Sequence, residues 1–394
     1  MKKVLTIVLA LSLVLSVFAL AGCGNANNEP TSTPEATEEA PETETATAEP
    51  TEAAETEEAP AEGAELAMIT DKGTIDDKSF NQGTWEGVQK YAEDNGIVCQ
   101  YYKPSEVSDA AYLEAIGLAV QNGAKVVVCP GYLFEVAIYE AQTQYPDVNF
   151  ILLDGEPHTA DYATYKTESN VLCILYAEQE AGFYAGYAAV KDGFTKLGFQ
   201  GGMAVPAVVR YGYGFLQGAE AAASEMGLDE GAISVMYNYS GDFAATPENQ
   251  ARAAGWYQTG TEIIFACGGS VGNSVMAAAE AATDKFVIGV DVDQYAESDT
   301  VISSALKQLG NSVYQALGTY YDGTFAGGTT QRFDSTNDGV GLAMENAKWR
   351  TFSDADYEAL FAAVQGGEYT INSDHEAAIS DLGLKLVTVT EVTD

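Results

Sequence analysis

Residues 66–95 read LAMITDKGTIDDKSFNQGTWEGVQKYAEDN. The apolar run LAMIT stops at Asp71, a loop of Asp, Gly and Lys follows, and from Phe80 the spacing of Trp85, Val88 and Tyr91/Ala92 is helical. Ser79 with Gln82 three residues on predicts a capping box that starts this helix, which is expected to run to Glu93. The same alternation recurs downstream. Apolar runs KVVVCPG (125–131), NFILLDG (149–155), NVLCILY (170–176), EIIFACGG (262–269) and KFVIGVD (285–291) mostly close on Gly or Asp. Helical spacing lies between and beyond them, over Ala110–Asn122, Glu178–Lys191, Tyr213–Glu225, Asn249–Gln258 and Asn273–Thr283. Continuous β-branched runs alternating with helices predict an α/β fold with parallel sheets covered on both faces.

About 329 residues follow position 65, too many for one open sheet, so two doubly wound lobes of similar size are expected. Ligands in such sheets bind beyond the carboxyl ends of the strands. That rule points at Asp71, Gly131, Asp154, Gly268, Gly269 and Asp291, and a cleft between the lobes would face them toward one another. The architecture alone therefore suggests a small-molecule binder.

Composition narrows the class. The 394 residues hold 18 Lys+Arg against 58 Asp+Glu, a net charge of −40, which repels phosphate backbones and argues against nucleic acid. Two histidines, His158 and His375, exclude a His-rich metal site. The five cysteines follow neither a zinc spacing nor a disulfide framework. Cys99, Cys129, Cys173 and Cys267 sit in or beside apolar runs and read as small buried hydrophobes, with one disulfide left open.

The N-terminus is a separate matter. Lys2 and Lys3 precede an apolar run from Val4 to Leu20, and Leu20-Ala21-Gly22-Cys23 resembles a bacterial lipobox. Residues 1–22 are thus expected to be a lipoprotein signal peptide, with Cys23 lipidated as the anchor. Residues 24–65 contain 13 Glu and no Lys, Arg, Tyr, Phe or Trp, so 23–65 is expected to be an extended acidic tether. No later stretch is apolar enough to span a bilayer, which places the remainder on the extracytoplasmic face.

The loop TDKGTIDDKSFNQGTWEG (70–87) carries the first chemistry. An aromatic face at Phe80 beside Asn81 and Asp71 suits a planar, hydrogen-bonding ring, although Phe80 in the core and a solvated acidic loop would explain the same residues. The block ITDKGTIDDKSFNQGTWEGVQKY closely resembles the opening of the basic membrane protein (BMP) family, also called purine nucleoside receptor A-like lipoproteins. The resemblance continues through GYLFEVAIYEAQTQYPDVNFILLDG (131–155), AEQEAGFYAGYAA (177–189), GFQGGMAVP (198–206), YSGDF (239–243), ACGGSVGNSV (266–275), VIGVDVDQ (287–294), SALK (304–307) and NDGVGLA (337–343).

What the resemblance implies is a type I periplasmic-binding-protein fold. Two Rossmann-like lobes joined by three crossings would close over a nucleoside for an ABC permease and ATPase. By motif, Asp71 and Asn81 would read the base edge, and Phe80 and Phe243 would sandwich the base. Asp291 would take the ribose hydroxyls, Gly268 and Gly269 would admit the sugar, and Lys307 would donate to it. The family commonly has Asp after G-G-M, where this chain has Ala204, near the cleft side of the second lobe. Lobe 1 is expected over 66–174 and 297–326, and lobe 2 over 175–296 and 327–394.

Two rivals have sequence support. Gly268-Gly269-Ser270-Val271-Gly272 matches G-x-S-x-G, and Ser270, Asp291 or Asp293, and His375 follow the order of a hydrolase triad. Paired aspartates at 76/77 and 291/293 could bind Ca²⁺, but the spacing of a calcium loop is missing. The favoured expectation is a monomeric, lipid-anchored solute-binding protein that needs no metal or cofactor and makes or breaks no bond. Its ligand would be a purine nucleoside. Another flat heterocycle such as riboflavin, or ligand sensing without transport, is the alternative.

Overall fold

The computed structural model describes residues 63–393, so the leader over 1–22, Cys23 and all but the last three residues of the tether lie outside the described residues. Residues just before the expected boundary at 66 already pack with the lobe. Ala64 is fully buried, and the Glu65 carbonyl accepts from the amides of Lys125 and Val126, extending the ladder of the first strand.

The first lobe runs β1 (Leu66–Ile69), α1 (Phe80–Asn95), β2 (Cys99–Tyr102), α2 (Asp109–Gln121), β3 (Val126–Pro130), α3 (Glu135–Gln144), β4 (Asn149–Leu153) and β5 (Val171–Tyr176). The chain then crosses into the second lobe. There it forms α4 (Glu178–Lys191), β6 (Lys196–Gly201), α5 (Pro206–Glu225), β7 (Ile233–Tyr239), α6 (Pro247–Thr259), β8 (Ile263–Cys267), α7 (Val271–Glu280), β9 (Phe286–Asp291) and β10 (Val301–Lys307). It recrosses into α8 (Leu309–Tyr321), which packs on α1, and β11 (Thr329–Phe333), which pairs with β5. A third crossing leads to β12 (Val340–Leu342), α9 (Asp354–Gln365) and β13 (Val387–Glu391).

The strand orders are β11-β5-β4-β3-β1-β2 and β12-β10-β9-β8-β6-β7-β13, parallel throughout except where β12 runs antiparallel to β10. The expected α/β fold of two doubly wound lobes is therefore present. Period-2 alternation explains why the strand sequences look continuously apolar. Leu66, Met68, Val126, Val128, Ile151 and Leu153 join one buried cluster, while Ala67, Ile69, Val127, Cys129, Phe150 and Leu152 join another. Both faces carry helices, so these strands are buried along almost their whole length, Asn149 at the start of β4 being half-buried.

The lobe boundaries need correction. The segment from 297 was expected in lobe 1, yet Val301–Lys307 pairs with β9 in the second sheet and the return falls between Lys307 and Leu309. Residues 329–333 were expected in lobe 2 but extend the first sheet. A short edge strand has little apolar signature of its own, so its partner is chosen by tertiary contact.

The helix start at Ser79 differs too. Its side chain makes no cap bond; Asp77 takes that role, accepting from the amides of Ser79, Asn81 and Gln82. A carboxylate has two oxygens to offer where a hydroxyl has one, and Ser79 is engaged elsewhere. The four cysteines of the described residues are free thiols, with Cys129, Cys173 and Cys267 buried. No helix of the described residues is long and apolar enough to cross a membrane.

Candidate functional site

Each sheet order reverses direction once, between β1 and β3 in the first lobe and between β6 and β8 in the second. At such a reversal the connections leave on opposite faces, and a crevice opens beyond the strand ends. The two crevices face each other. Asp71 and Gly131 come from the first, Cys267, Gly268 and Gly269 from the second, and together they line one cavity. Counting its open mouth and the solvent there, the cavity region holds about 720 Å³ free of protein atoms.

All eight residues singled out in the sequence line this cavity: Asp71, Phe80, Asn81, Phe243, Gly268, Gly269, Asp291 and Lys307. Their engagements differ from expectation in several ways. Both N–H groups of the Asn81 amide are committed, to Asp71 Oδ1 at 2.9 Å and Asp77 Oδ2 at 3.0 Å. Its oxygen accepts from the Asp71 amide at 3.3 Å, so the side chain orients Asp71 and retains a single lone pair. Asp71 Oδ1 also takes the Gly73 amide at 2.7 Å. Burial pushes the Asp71 carboxyl up to about 6, against the pull of its hydrogen bonds from Gly73 and Asn81.

Asp291 ends β9 in left-handed backbone, φ 66°, as Asp154 does beyond β4 with φ 61°. Non-glycine residues seldom adopt this region, and it costs on the order of 1–3 kcal/mol where surrounding contacts enforce it. The two aspartates thus turn into the cleft from opposite lobes. Asp291 Oδ2 accepts from Ser79 Oγ at 2.5 Å and Oδ1 from the Tyr211 hydroxyl at 3.3 Å. The Ser79 bond crosses between lobes. Beside it, Gln294 Nε2 donates to the Lys78 carbonyl at 2.6 Å, and Lys78 Nζ lies 3.6 Å from Glu297.

Lys307 is nearly sealed from solvent. Its ammonium donates to Asp154 Oδ2 at 2.6 Å, lies 2.9 Å from Glu178 Oε1, and sits 5.0 Å from the centre of the Phe80 ring. Arg210 Nε reaches the other oxygen of Glu178 at 2.6 Å. Two carboxylates, Asp154 and Glu178, therefore share two cations, and the charge of Asp291 acts on Lys307 from further off. Burial raises Asp154 to about 7 despite Lys307, whereas burial of Glu178 is outweighed by Arg210 and Lys307, which hold it at about 2. Burial by itself would lower the Lys307 ammonium, but Asp154 and Glu178 raise it, so it stays charged.

The glycines have reasons internal to the protein. A Cβ on Gly268 would meet the Gly202 backbone, where β6 and β8 end side by side, and one on Gly202 would drive into the Phe243 ring. Gly269 holds φ 53°. Ala204 is exposed and does not line the cavity, so the departure from the family pattern falls outside the wall.

Residues missed from the sequence complete the lining, among them Tyr132, Leu133, Val205, Val208 and Tyr211. Gly131 and Asp154 were flagged only by the strand-end rule. Glu178 and Arg210 stand behind the wall, and the AEQEAG block was the available signal for the first of them.

Ser270 also lines the cavity, but in ordinary right-handed backbone with φ −67° and ψ −8°. Asp291 gives its oxygens to Ser79 and Tyr211, and His375 lies in the exposed stretch 373–376. Nothing among the described residues activates the Ser270 hydroxyl.

Comparison with known proteins agrees with this architecture. Residues 64–362 match the Bmp family, described as PnrA-like ABC transporter substrate-binding proteins. The chain is 30% identical over 305 residues to the ABC transporter nucleoside-binding protein BmpA of Lactococcus lactis subsp. cremoris, covering 72% of this chain and 82% of that one. Basic membrane protein A of Borreliella burgdorferi is 28% identical, over 79% of this chain and 89% of its own. Among solved structures, an ABC transporter solute-binding protein from Aeropyrum pernix K1 aligns with a TM-score of 0.68 at 22% identity, over 81% of this chain and 97% of that one, a likeness of fold. The resemblance read from the motifs is borne out, and the chain belongs to the Bmp family of PnrA-like ABC transporter substrate-binding proteins.

Proposed function

We propose that this substrate-binding protein captures a nucleoside, a purine one by preference, between its lobes and presents it to an ABC permease and its ATPase. Cys23 would hold it, as a lipid-anchored monomer, on the outer face of the cell membrane. The observation that carries the reading is a cavity walled by both lobes. It combines two phenyl rings, Phe80 and Phe243, with carboxylate acceptors at Asp71 and Asp291. Planar apolar faces suit a base, and acceptors on either side suit its N–H edge and sugar hydroxyls. The relative named for nucleoside binding supports the same ligand class. A ligand touching both lobes stabilises the closed arrangement over the open one, and this population shift is what a transporter reads.

Thermal shift of the purified full chain, unfolded and refolded to strip carried ligand, tests the reading. The panel is adenosine, guanosine, inosine, uridine, cytidine, riboflavin, adenine, ribose and GMP. A ligand at a thousandfold over its Kd adds about 4 kcal/mol of stability. A raised Tm with purine nucleosides is expected. Silence toward every nucleoside would remove the assigned ligand, and a shift with riboflavin alone would favour the flat-heterocycle alternative.

A further inference from the structure

The block AEQEAGFYAGYAA supplies Glu178 behind the cleft wall, and it opens the second lobe at the first crossing. Its glycines Gly182 and Gly186 face Gly214 and Gly218 of α5. A Cβ on any of the four would drive into the backbone of the opposite helix. Four reciprocal close approaches bring α4 and α5 together backbone to backbone, and so bring their first turns together. Glu178, the first residue of α4, thereby meets Arg210 in the first turns of α5, Nε to Oε2 at 2.6 Å. Its other oxygen lies 2.9 Å from Lys307 Nζ. Glu178 follows the first crossing and Lys307 precedes the second, so one carboxylate ties the two crossings together. The Glu178 side chain is 0% exposed and that of Lys307 1%.

We propose that Glu178, locked in place by Arg210, is the positioning residue for Lys307, fixing its ammonium at the cleft wall so that an N–H is left for the ligand. An ammonium has three donors, of which Asp154 takes one by hydrogen bond, while Glu178 holds the charge as an ion pair at 2.9 Å. Asp154 belongs to the first lobe, so Lys307 reaches this geometry when the lobes are together. Arg210 matters because a lone carboxylate could swing about its stem, whereas a planar guanidinium bond fixes its plane. The proposal rests on the reading that the cleft takes a nucleoside whose sugar meets Lys307.

The test is calorimetry of the full chain with inosine and with hypoxanthine, on the wild type, Glu178→Gln and Arg210→Lys. In Glu178→Gln the amide can still accept from Lys307, but its NH2 then opposes Arg210 donor to donor, so the arrangement must break. Inosine affinity should fall roughly 10- to 100-fold, the range for a lost charge-assisted bond. Hypoxanthine, lacking the sugar, should change by no more than about threefold. Arg210→Lys keeps the charge without the fork and should show a smaller loss, again confined to the riboside, which keeps the claim testable should Glu178→Gln fail to fold. Parallel losses for both ligands, or a lowered Tm with neither affinity changed, would mean a merely structural pair and overturn the proposal. A wild type that binds neither compound would instead remove the nucleoside reading. The crystal structure of Glu178→Gln or Arg210→Lys then decides: displaced Lys307 Nζ supports positioning, and an unmoved one refutes it.

Discussion

Replacing Ser79 by alanine removes the bond from Ser79 Oγ to Asp291 Oδ2, 2.5 Å long, between residues 0% and 7% exposed on opposite lobes. Hydrogen bonds to a charged partner contribute about 1.5–3 kcal/mol, and each 1.4 kcal/mol is tenfold in an equilibrium. In the open form both groups meet water, so the loss falls on the closed form alone. For a free protein that is mostly open, the whole loss appears in ligand affinity, and Kd should rise about 10- to 100-fold. Encounter with the open cleft is untouched, so the change belongs in the off-rate. Titration calorimetry with stopped-flow dissociation of inosine measures both quantities, and Ser79→Thr, which keeps the hydroxyl, serves as control. The Gln294 bond to the Lys78 carbonyl persists in both variants, so closure is weakened rather than abolished. An unchanged Kd and off-rate in a folded Ser79→Ala protein would refute the idea that this bond latches the lobes.

Phe80→Ala should weaken nucleoside binding by about 1–3 kcal/mol if the ring stacks on a base; unchanged affinity with a lowered Tm would make Phe80 a core residue. The pH dependence of stability should run opposite to ordinary acid denaturation between about pH 4 and 7. Asp71 and Asp154 are raised from 3.8 to about 6 and about 7. They bind protons more readily folded than unfolded, so their contribution is full below about 4 and lost as pH rises through those values. Glu178, held at about 2, works the other way, and its contribution disappears only as pH falls from 4.5 toward 2. Tm measured across pH 4–7.5 should therefore fall with rising pH, less steeply in Asp71→Asn, and an identical slope in that variant would reject the assignment. Binding has the opposite sign at Asp71, because a base N–H needs the carboxylate as acceptor, so calorimetric Kd for inosine should worsen below about pH 6.

Much of the site was legible because strand ends in parallel sheets are recognisable. A β-branched run stopping at Asp or Gly marks the carboxyl edge, and Asp71, Gly131, Asp154, Gly268, Gly269 and Asp291 all line the cavity for that reason. The chemistry of the first loop pointed to Phe80 and Asn81, and the motif resemblance added Phe243 and Lys307. Ser79 was misread because a capping-box spacing is local, while its hydroxyl is claimed by a residue 212 positions away. The crossings after Lys307 and before Val340 were misplaced for a similar reason, since β10 and β11 take partners that their own short sequences do not name.

The chain's sequence by itself determined the alternation of strands and helices, the doubling into two lobes and the edge on which a ligand would sit. These follow from periodicity and from the few residues that can end a strand, which are properties of short stretches. Only the tertiary structure decided which polar groups are free to meet a ligand. Asn81 commits its amide to two aspartates, Asp291 is shared between Ser79 and Tyr211, and Lys307 lies between Asp154 and Glu178. Hydrogen-bond capacity is divided among groups brought together from distant parts of the chain, and burial together with the neighbouring cations then sets how tightly each carboxylate holds its proton.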